Sequence, residues 1–384
     1  MTTKFTRRQS MAIMGATAFT PLAPAVLRAQ ETPANLPQTM IWSTYDVGST
    51  GYVEASAIAD AMIKAYGTRV RLLPSGSGVG RIIPLKQGQA QSAWLANELY
   101  FATRGLYDFA VKDWGPQNMR TICGRPASFG IVTTAESGIQ SVEDLKGKRF
   151  AYAAANPSVA IKVDTMLASA GMSRADVEVV EFPSYGDTLR SLAQGQADAA
   201  GSALTSSALA ELEASPRGIN WIPFDPNNAE LWENMNKVAP IFSPYKETIG
   251  VGVTGKDPVD VVAYKYPMIT VMHDADADMV YAFLKALDET FPEYKNAAPI
   301  MERWGLKESG TTPMDAPLHE GAVRYLQEKG QWTDKDQAWN DKSVTEIEAL
   351  IEAWGPFLAE NDSLGEAEFA EAWDGRRSEV IAGL

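Results

Sequence analysis

The chain is poor in the residues that build metal and disulfide sites, with one cysteine, Cys123, and two histidines, His273 and His319. A single thiol closes no internal disulfide and makes no zinc site, so Cys123 reads as a buried structural thiol. Neither histidine stands in a metal-ligand or triad spacing, and His319-Glu320-Gly321 lacks the second histidine of a zincin helix. G-x-S-x-G and Walker loops are missing, and Ser75-Gly76-Ser77-Gly78-Val79-Gly80 departs from the G-x-G-x-x-G pattern. These absences leave no catalytic constellation and no cofactor motif; the expectation is a protein that is not an enzyme and holds no cofactor or metal. Positive charge is also short, with 34 Lys and Arg against 48 Asp and Glu and a net charge of −14. That balance argues against nucleic acid or an anionic membrane surface as a general partner. No uninterrupted apolar run reaches the roughly 18 residues of a membrane-spanning helix.

What is present begins at the N-terminus. Lys4, Arg7 and Arg8 precede the small and apolar run Met11–Phe19, and both Ala23-Pro24-Ala25 and Leu27-Arg28-Ala29 suit cleavage. This is the pattern of a signal peptide over residues 1–29. Thr6-Arg7-Arg8-Gln9-Ser10-Met11 is similar to a twin-arginine signal, with general secretion the other route. No cysteine lies near the cleavage region, so a lipid anchor is not expected. Removing Lys4, Arg7, Arg8 and Arg28 with no acid moves the net charge to −18. The expected product is an acidic, exported monomer.

An internal repeat organises the rest. Gln87-Gly88-Gln89-Ala90 recurs as Gln194-Gly195-Gln196-Ala197, 107 residues later. Pro74-Ser75 and Pro183-Ser184 open the two repeated segments. Before the first copy the pattern predicts a strand over Met40–Thr44, a helix over Tyr52–Tyr66 and a strand over Arg69–Leu73. Before the second it predicts a strand over Arg149–Ala153, a helix over Val159–Ala170 and a strand over Val177–Phe182. Two βαβαβ units mean two similar α/β lobes, each a mainly parallel sheet flanked by helices. The expected boundaries are residues 36–131 with 245–330 for the first lobe and 132–244 for the second. Ser137–Lys148 reads as a short helix between them. A strand over Tyr264–Met272 and a helix over Ala275–Phe291, capped near Asp274, are expected to return the chain to the first lobe. Residues 331–384 read as a helical extension holding Trp332, Trp339, Trp354 and Trp373. Packing onto a lobe and a partner-binding surface are its two readings.

Candidate chemistry lies in the turns. Ser49-Thr50-Gly51, Ser75-Gly76-Ser77-Gly78, Asn156-Pro157-Ser158 and the stretch from Ser202 to Thr205-Ser206 each fall where a strand ends and a helix begins. Taken singly, each hydroxyl or amide is an ordinary helix cap. Recurring at matching points of both units, they would direct helix N-termini into one cleft, a ready site for a small carboxylate. Arg81 and Arg125 are candidate carboxylate clamps or interlobe ion pairs. Tyr52, Trp94 and Tyr245 are candidate pocket walls or core rings, and Asn97 stands at another strand end.

Gly48-Ser49-Thr50-Gly51-Tyr52, Pro74-Ser75-Gly76-Ser77-Gly78, Ser141–Lys148 (SVEDLKGK) and Leu318–Tyr325 (LHEGAVRY), in an exported two-lobed chain, together resemble the TAXI family. These are the solute receptors of TRAP (tripartite ATP-independent periplasmic) transporters. The resemblance covers about residues 38–330. It implies a type II periplasmic-binding-protein fold, hinge closure over a small carboxylate, and delivery to a membrane-embedded TRAP permease. It places the first-turn hydroxyl on Thr50, its aromatic neighbour on Tyr52, and the second-lobe helix start on Asn156, Ser158 and Val159. Gly51 and Tyr52 replace the family's paired aromatics, and Ala154–Pro157 replaces its Gly-Ser-rich turn, so glutamate is not carried over as substrate. Two alternatives stand beside it. One is an ABC-importer binding protein for a sulfonate, nitrate or a thiamine precursor; the other is a periplasmic ligand sensor whose Trp-rich tail docks a partner.

Overall fold

The first repeated unit folds as β1 (Thr39–Thr44), α1 (Thr50–Tyr66), β2 (Arg69–Pro74), α2 (Gly78–Lys86) and β3 (Ser92–Leu95). The computed structural model describes residues 33–47, 49–153 and 156–384, so the expected signal peptide lies outside the described residues. β1 lies between β2 and β3 and runs parallel to both. Helix α3 (Glu98–Arg104) and the long strand β4 (Met119–Thr134) follow. The second unit repeats the plan as β5 (Arg149–Ala153), α4 (Pro157–Ala168), β6 (Glu178–Phe182), α5 (Tyr185–Ala193) and β7 (Ala199–Ala203). β5 is again the middle strand, parallel to β6 and β7.

The repeated Gln-Gly-Gln-Ala has a local cause. Gln87 and Gln194 end α2 and α5, and Gly88 and Gly195 follow with φ of 66° and 74°. That left-handed step stops each helix at little steric cost only for glycine, and it turns the chain into the third strand of the unit.

The remaining elements are α6 (Ala210–Ala214), β8 (Ile219–Trp221), α7 (Ala229–Val238), β9 (Ser243–Glu247), β10 (Val259–Met272), α8 (Ala277–Tyr294), α9 (Leu306–Ser309), α10 (Glu320–Glu328), α11 (Asp334–Asn361) and α12 (Glu366–Ala382). The two parallel sets join in one path, β2-β1-β3-β10-β4-β7-β5-β6, with β8 on β4 and β9 on β10. β4 and β10 make the join because each is long enough to serve both sets. β10 pairs with β3 through Met268–Thr270 and with β9 through Val259–Ala263. β4 pairs with β7 only from Phe129 onward, while Met119–Gly124 face the other end of β10. The β4–β10 register shifts between Lys265 and Met268, where the chain passes from one set to the other.

Two local expectations need correction. Ser137–Lys148 forms no α-helix; it holds a 3-10 turn at Glu143–Leu145, and the Asp144 carboxylate accepts the Gln140 and Ser141 N–H groups. A polar side chain that satisfies the backbone locally competes with the helical ladder. Asp276, not Asp274, caps α8, its carboxylate accepting the Met279 N–H at 2.7 Å. β10 reaches β3, and α8 packs on α1.

On the β1–β3 side the core centres on aromatic rings. Trp42 lies 5.7 Å from Trp94 and 5.2 Å from Phe283, and Trp94 lies 5.3 Å from Trp304. On the β5–β7 side separate apolar clusters form around Phe150 and Leu167 and around Leu189 and Trp221. Cys123 is buried, and burial pushes its thiol up to about 12, which keeps it protonated and inert. The C-terminal helices form a hairpin whose Trp373, Phe369 and Phe357 bury together with Leu350. Trp332 and Trp339 pack against the β1–β3 core, and the Arg104–Glu346 ion pair at 2.8 Å fastens the hairpin to α3. The tryptophans of the tail are therefore packing residues.

Candidate functional site

Each parallel set carries its carboxyl ends to one edge. The two sets, antiparallel to each other through β10 and β4, turn those edges toward each other, so the helix starts after β1, β2, β5 and β6 face a common space. Ser49 caps α1 by accepting the Tyr52 N–H at 3.2 Å, and Ser77 caps α2 by accepting from Gly80 at 3.0 Å. Asn156 caps α4 through Val159 at 3.2 Å, and Ser184 caps α5 through Asp187 at 3.2 Å. Between these helix starts lies a cavity of about 570 Å³, within the range of small-molecule sites. Its walls include Ser49, Thr50, Ser75, Ser77 and Gly78 from the first unit and Asn156, Ser158, Val159 and Thr205 from the second.

Six expected residues lie elsewhere. Arg125 is buried, holding Glu54 through Nε at 2.8 Å and Nη2 at 2.5 Å, so its fork is already filled. Asn97 donates to the buried Asp315 carboxylate at 2.8 Å. Ser202 sits behind Tyr185, whose hydroxyl lies 2.9 Å from it. Tyr245 lies on β9 with the Arg303 guanidinium 5.4 Å from its ring centre. Tyr52, one turn into α1, is off the cavity wall, and Trp94 belongs to the core.

The cavity's charges come from residues that the turn argument passed over. Arg81 does line it, but its Nη2 pairs with Glu98, its Nη1 donates to the Ser75 carbonyl at 3.0 Å, and its plane lies 3.9 Å from the Tyr45 ring centre. Burial favours the neutral form of Glu98, yet the Arg81 pairing outweighs it and holds this carboxyl below the usual range. Lys162, on α4, donates to Ser158 Oγ at 3.0 Å and makes no ion pair among the described residues. Its side chain is buried, and that desolvation lowers its pKa to about 8 despite the Glu98 and Asp315 carboxylates nearby. Lys162 Nζ stands 5.0 Å from the Tyr264 ring centre and 5.6 Å from that of Phe129. Tyr266 stacks on Tyr264 at 5.8 Å, and Tyr45 meets Tyr266 edge-on at 5.2 Å.

Two signals in the sequence point to this set. Lys162 is a lone charge inside the apolar helical run Val159–Val163, four residues after Ser158. Tyr264 and Tyr266 stand two apart on a strand and so share a face. Among the described residues no cluster of His, Cys, Asp and Glu could hold a metal ion.

Asp315, beneath the cleft, gives a first prediction. Burial pushes its carboxyl up to about 6, with Asn97, Arg104 and Lys162 opposing. The folded state therefore binds more protons than the unfolded chain, whose Asp titrates near 3.9, and stability falls as pH rises from about 4 to 6. Asp315→Asn keeps an acceptor for Asn97 and is expected to abolish that fall. At pH 7 it should add on the order of 2 kcal/mol to the unfolding free energy measured in denaturant. An unchanged pH slope would contradict the assignment.

Solved structures are similar in part. The periplasmic aliphatic sulphonate binding protein of Escherichia coli is 14% identical, with 85% of this chain and 88% of that one covered and a TM-score of 0.44. An amino acid ABC transporter substrate-binding protein of Streptococcus pneumoniae, bound to L-arginine, is 14% identical, with coverages of 70% and 93% and a TM-score of 0.38. The NMT1-like family matches residues 43–330, a span that contains every residue of the cavity wall and ends before the C-terminal hairpin. The chain belongs to the NMT1-like family.

Proposed function

We propose that this protein is a periplasmic solute-binding protein that captures a small organic anion, a carboxylate, between two lobes and presents it to a membrane permease. One observation carries the reading: Lys162, a buried cation that makes no ion pair among the described residues, faces a cavity ringed by helix N-termini from both repeated units. A carboxylate there would supply the ion-pair partner that Lys162 lacks. Residues 36–131 with 245–330 form one proposed lobe and 132–244 the other. β4 and β10, which cross between them, are the proposed hinge, and closure excludes water from the bound anion. Delivery to a TRAP permease follows the TAXI resemblance. Delivery to an ATP-driven importer is the second reading. A neighbouring gene for an ATPase, or for a TRAP permease, decides between them.

The test is a thermal-shift screen of the purified protein, stripped of bound solutes, against carboxylates, amino acids, sulfonates and sugars. At about 100 times Kd a ligand adds roughly 2.7 kcal/mol, enough for a shift of several degrees. The pH dependence makes the test specific. Lys162 must be protonated to hold an anion, and in the free protein it loses its proton near pH 8. Carboxylate affinity should therefore fall as pH rises above about 8, by up to about tenfold per unit. An affinity flat from pH 7 to 9.5, or shifts with sugars alone, would refute the reading.

A further inference from the structure

The cavity's charge inventory and its wall narrow the anion further. The charged groups on the wall are Lys162, Arg81, Glu98, Asp46 and Asp108. Glu98 neutralises Arg81, so one cation remains, facing two aspartates. A ligand with a second negative charge would find no cation for it and would meet Asp46 or Asp108. The anion's body has a defined neighbour as well. Lys162 Nζ stands beside the Tyr264 and Phe129 rings, and Tyr266 and Tyr45 extend the same surface by a stack and an edge contact. An anion on Lys162 therefore lays its body along ring faces and edges, where a flat ring gains more than a puckered one of equal size. The cavity of about 570 Å³ leaves room for such a body beyond the charged group. Arg81 Nε, buried on the same wall, has no acceptor among the described residues, so a neutral oxygen on the ring would be satisfied there.

We infer that the solute is an aromatic monocarboxylate, its carboxylate on Lys162 and its ring against Tyr264, Tyr266 and Tyr45. This rests on the anion-binding reading above and names the class of its ligand.

Calorimetric titration of the full protein with four probes tests it: 4-hydroxybenzoate, its saturated analogue 4-hydroxycyclohexanecarboxylate, terephthalate and succinate. The first is expected to bind about fivefold to tenfold tighter than its saturated analogue, the difference that ring contacts supply. It should also exceed both dicarboxylates by about tenfold or more, since each carries a charge without a partner. Equal or tighter binding of the saturated acid, of terephthalate or of succinate overturns the aromatic monoacid and leaves anion capture standing. Failure of all four acids to bind, in a protein that binds sugars or cationic amino acids, overturns both.

Discussion

Lys162→Met should raise the melting temperature of the ligand-free protein while weakening carboxylate binding by roughly thirtyfold or more. Both effects come from one feature, a buried cation that makes no ion pair among the described residues. Its folded pKa, about 8, lies below the 10.4 of an exposed lysine, so the charged form is disfavoured by folding. The cost at neutral pH is on the order of 2 kcal/mol, and methionine of similar length removes it. The sign follows from linkage: between about pH 8 and 10.4 the unfolded chain binds more protons. The native protein therefore gains stability as pH rises through that window, and the variant does not. Loss of stability in the variant, with binding intact, would make Lys162 a structural donor to Ser158 and remove it from the site. A residue that lowers stability and raises affinity is the expected mark of a binding group.

Glu54→Ala should destabilise the protein by about 3–5 kcal/mol, lowering the melting temperature by roughly ten degrees. Glu54 accepts two bonds from Arg125 and a third from Trp304 Nε1 at 2.7 Å, all in the interior. Truncation leaves the Arg125 guanidinium buried without a counter-charge, its Nη1 still on the Pro126 carbonyl at 3.2 Å, and the Trp304 indole N–H without an acceptor. The double variant Glu54→Met, Arg125→Met removes both charges together and should be more stable than Glu54→Ala or Arg125→Met. It should also retain carboxylate affinity within about twofold, because Arg125 is off the cavity wall. Loss of binding in a folded double variant would restore Arg125 to the site. A full-strength penalty in the double variant would show that shape, not charge pairing, sets the cost.

The repeated units were readable because their signals are local. A Gln-Gly pair that stops a helix, a serine or asparagine that starts one, and short apolar strands between them all act within a few residues. The same locality placed Ser77 and Asn156 at helix starts lining one cavity. Charged partners were harder, because their pairing spans the chain. Arg125 meets Glu54 across 71 positions, whereas Arg81 meets Glu98 across 17. Both arginines looked alike as sequence, and only the fold shows that one is sealed in the core while the other reaches the cavity wall. Lys162 was hidden for another reason. A lysine in a helix is ordinarily solvated, and its burial depends on Phe129 and Tyr264, which arrive from other strands.

The long return of the chain has a consequence for the order in which the protein acquires its structure. The core beside β1, β2 and β3 draws Phe283 and Leu287 from α8, Tyr325 and Leu326 from α10, and Ile347 from α11. Residues 39–104 are thus made well before part of the apolar core that closes over them. The β5–β7 side closes around a far shorter stretch of chain, with its two clusters drawn from residues 96–264. Contacts that must wait for some 200 further residues are slow to form, and until then the early strands stay open to any holding factor or translocation channel. A chain arranged in this way completes its N-terminal half late, which keeps it threadable for most of its synthesis.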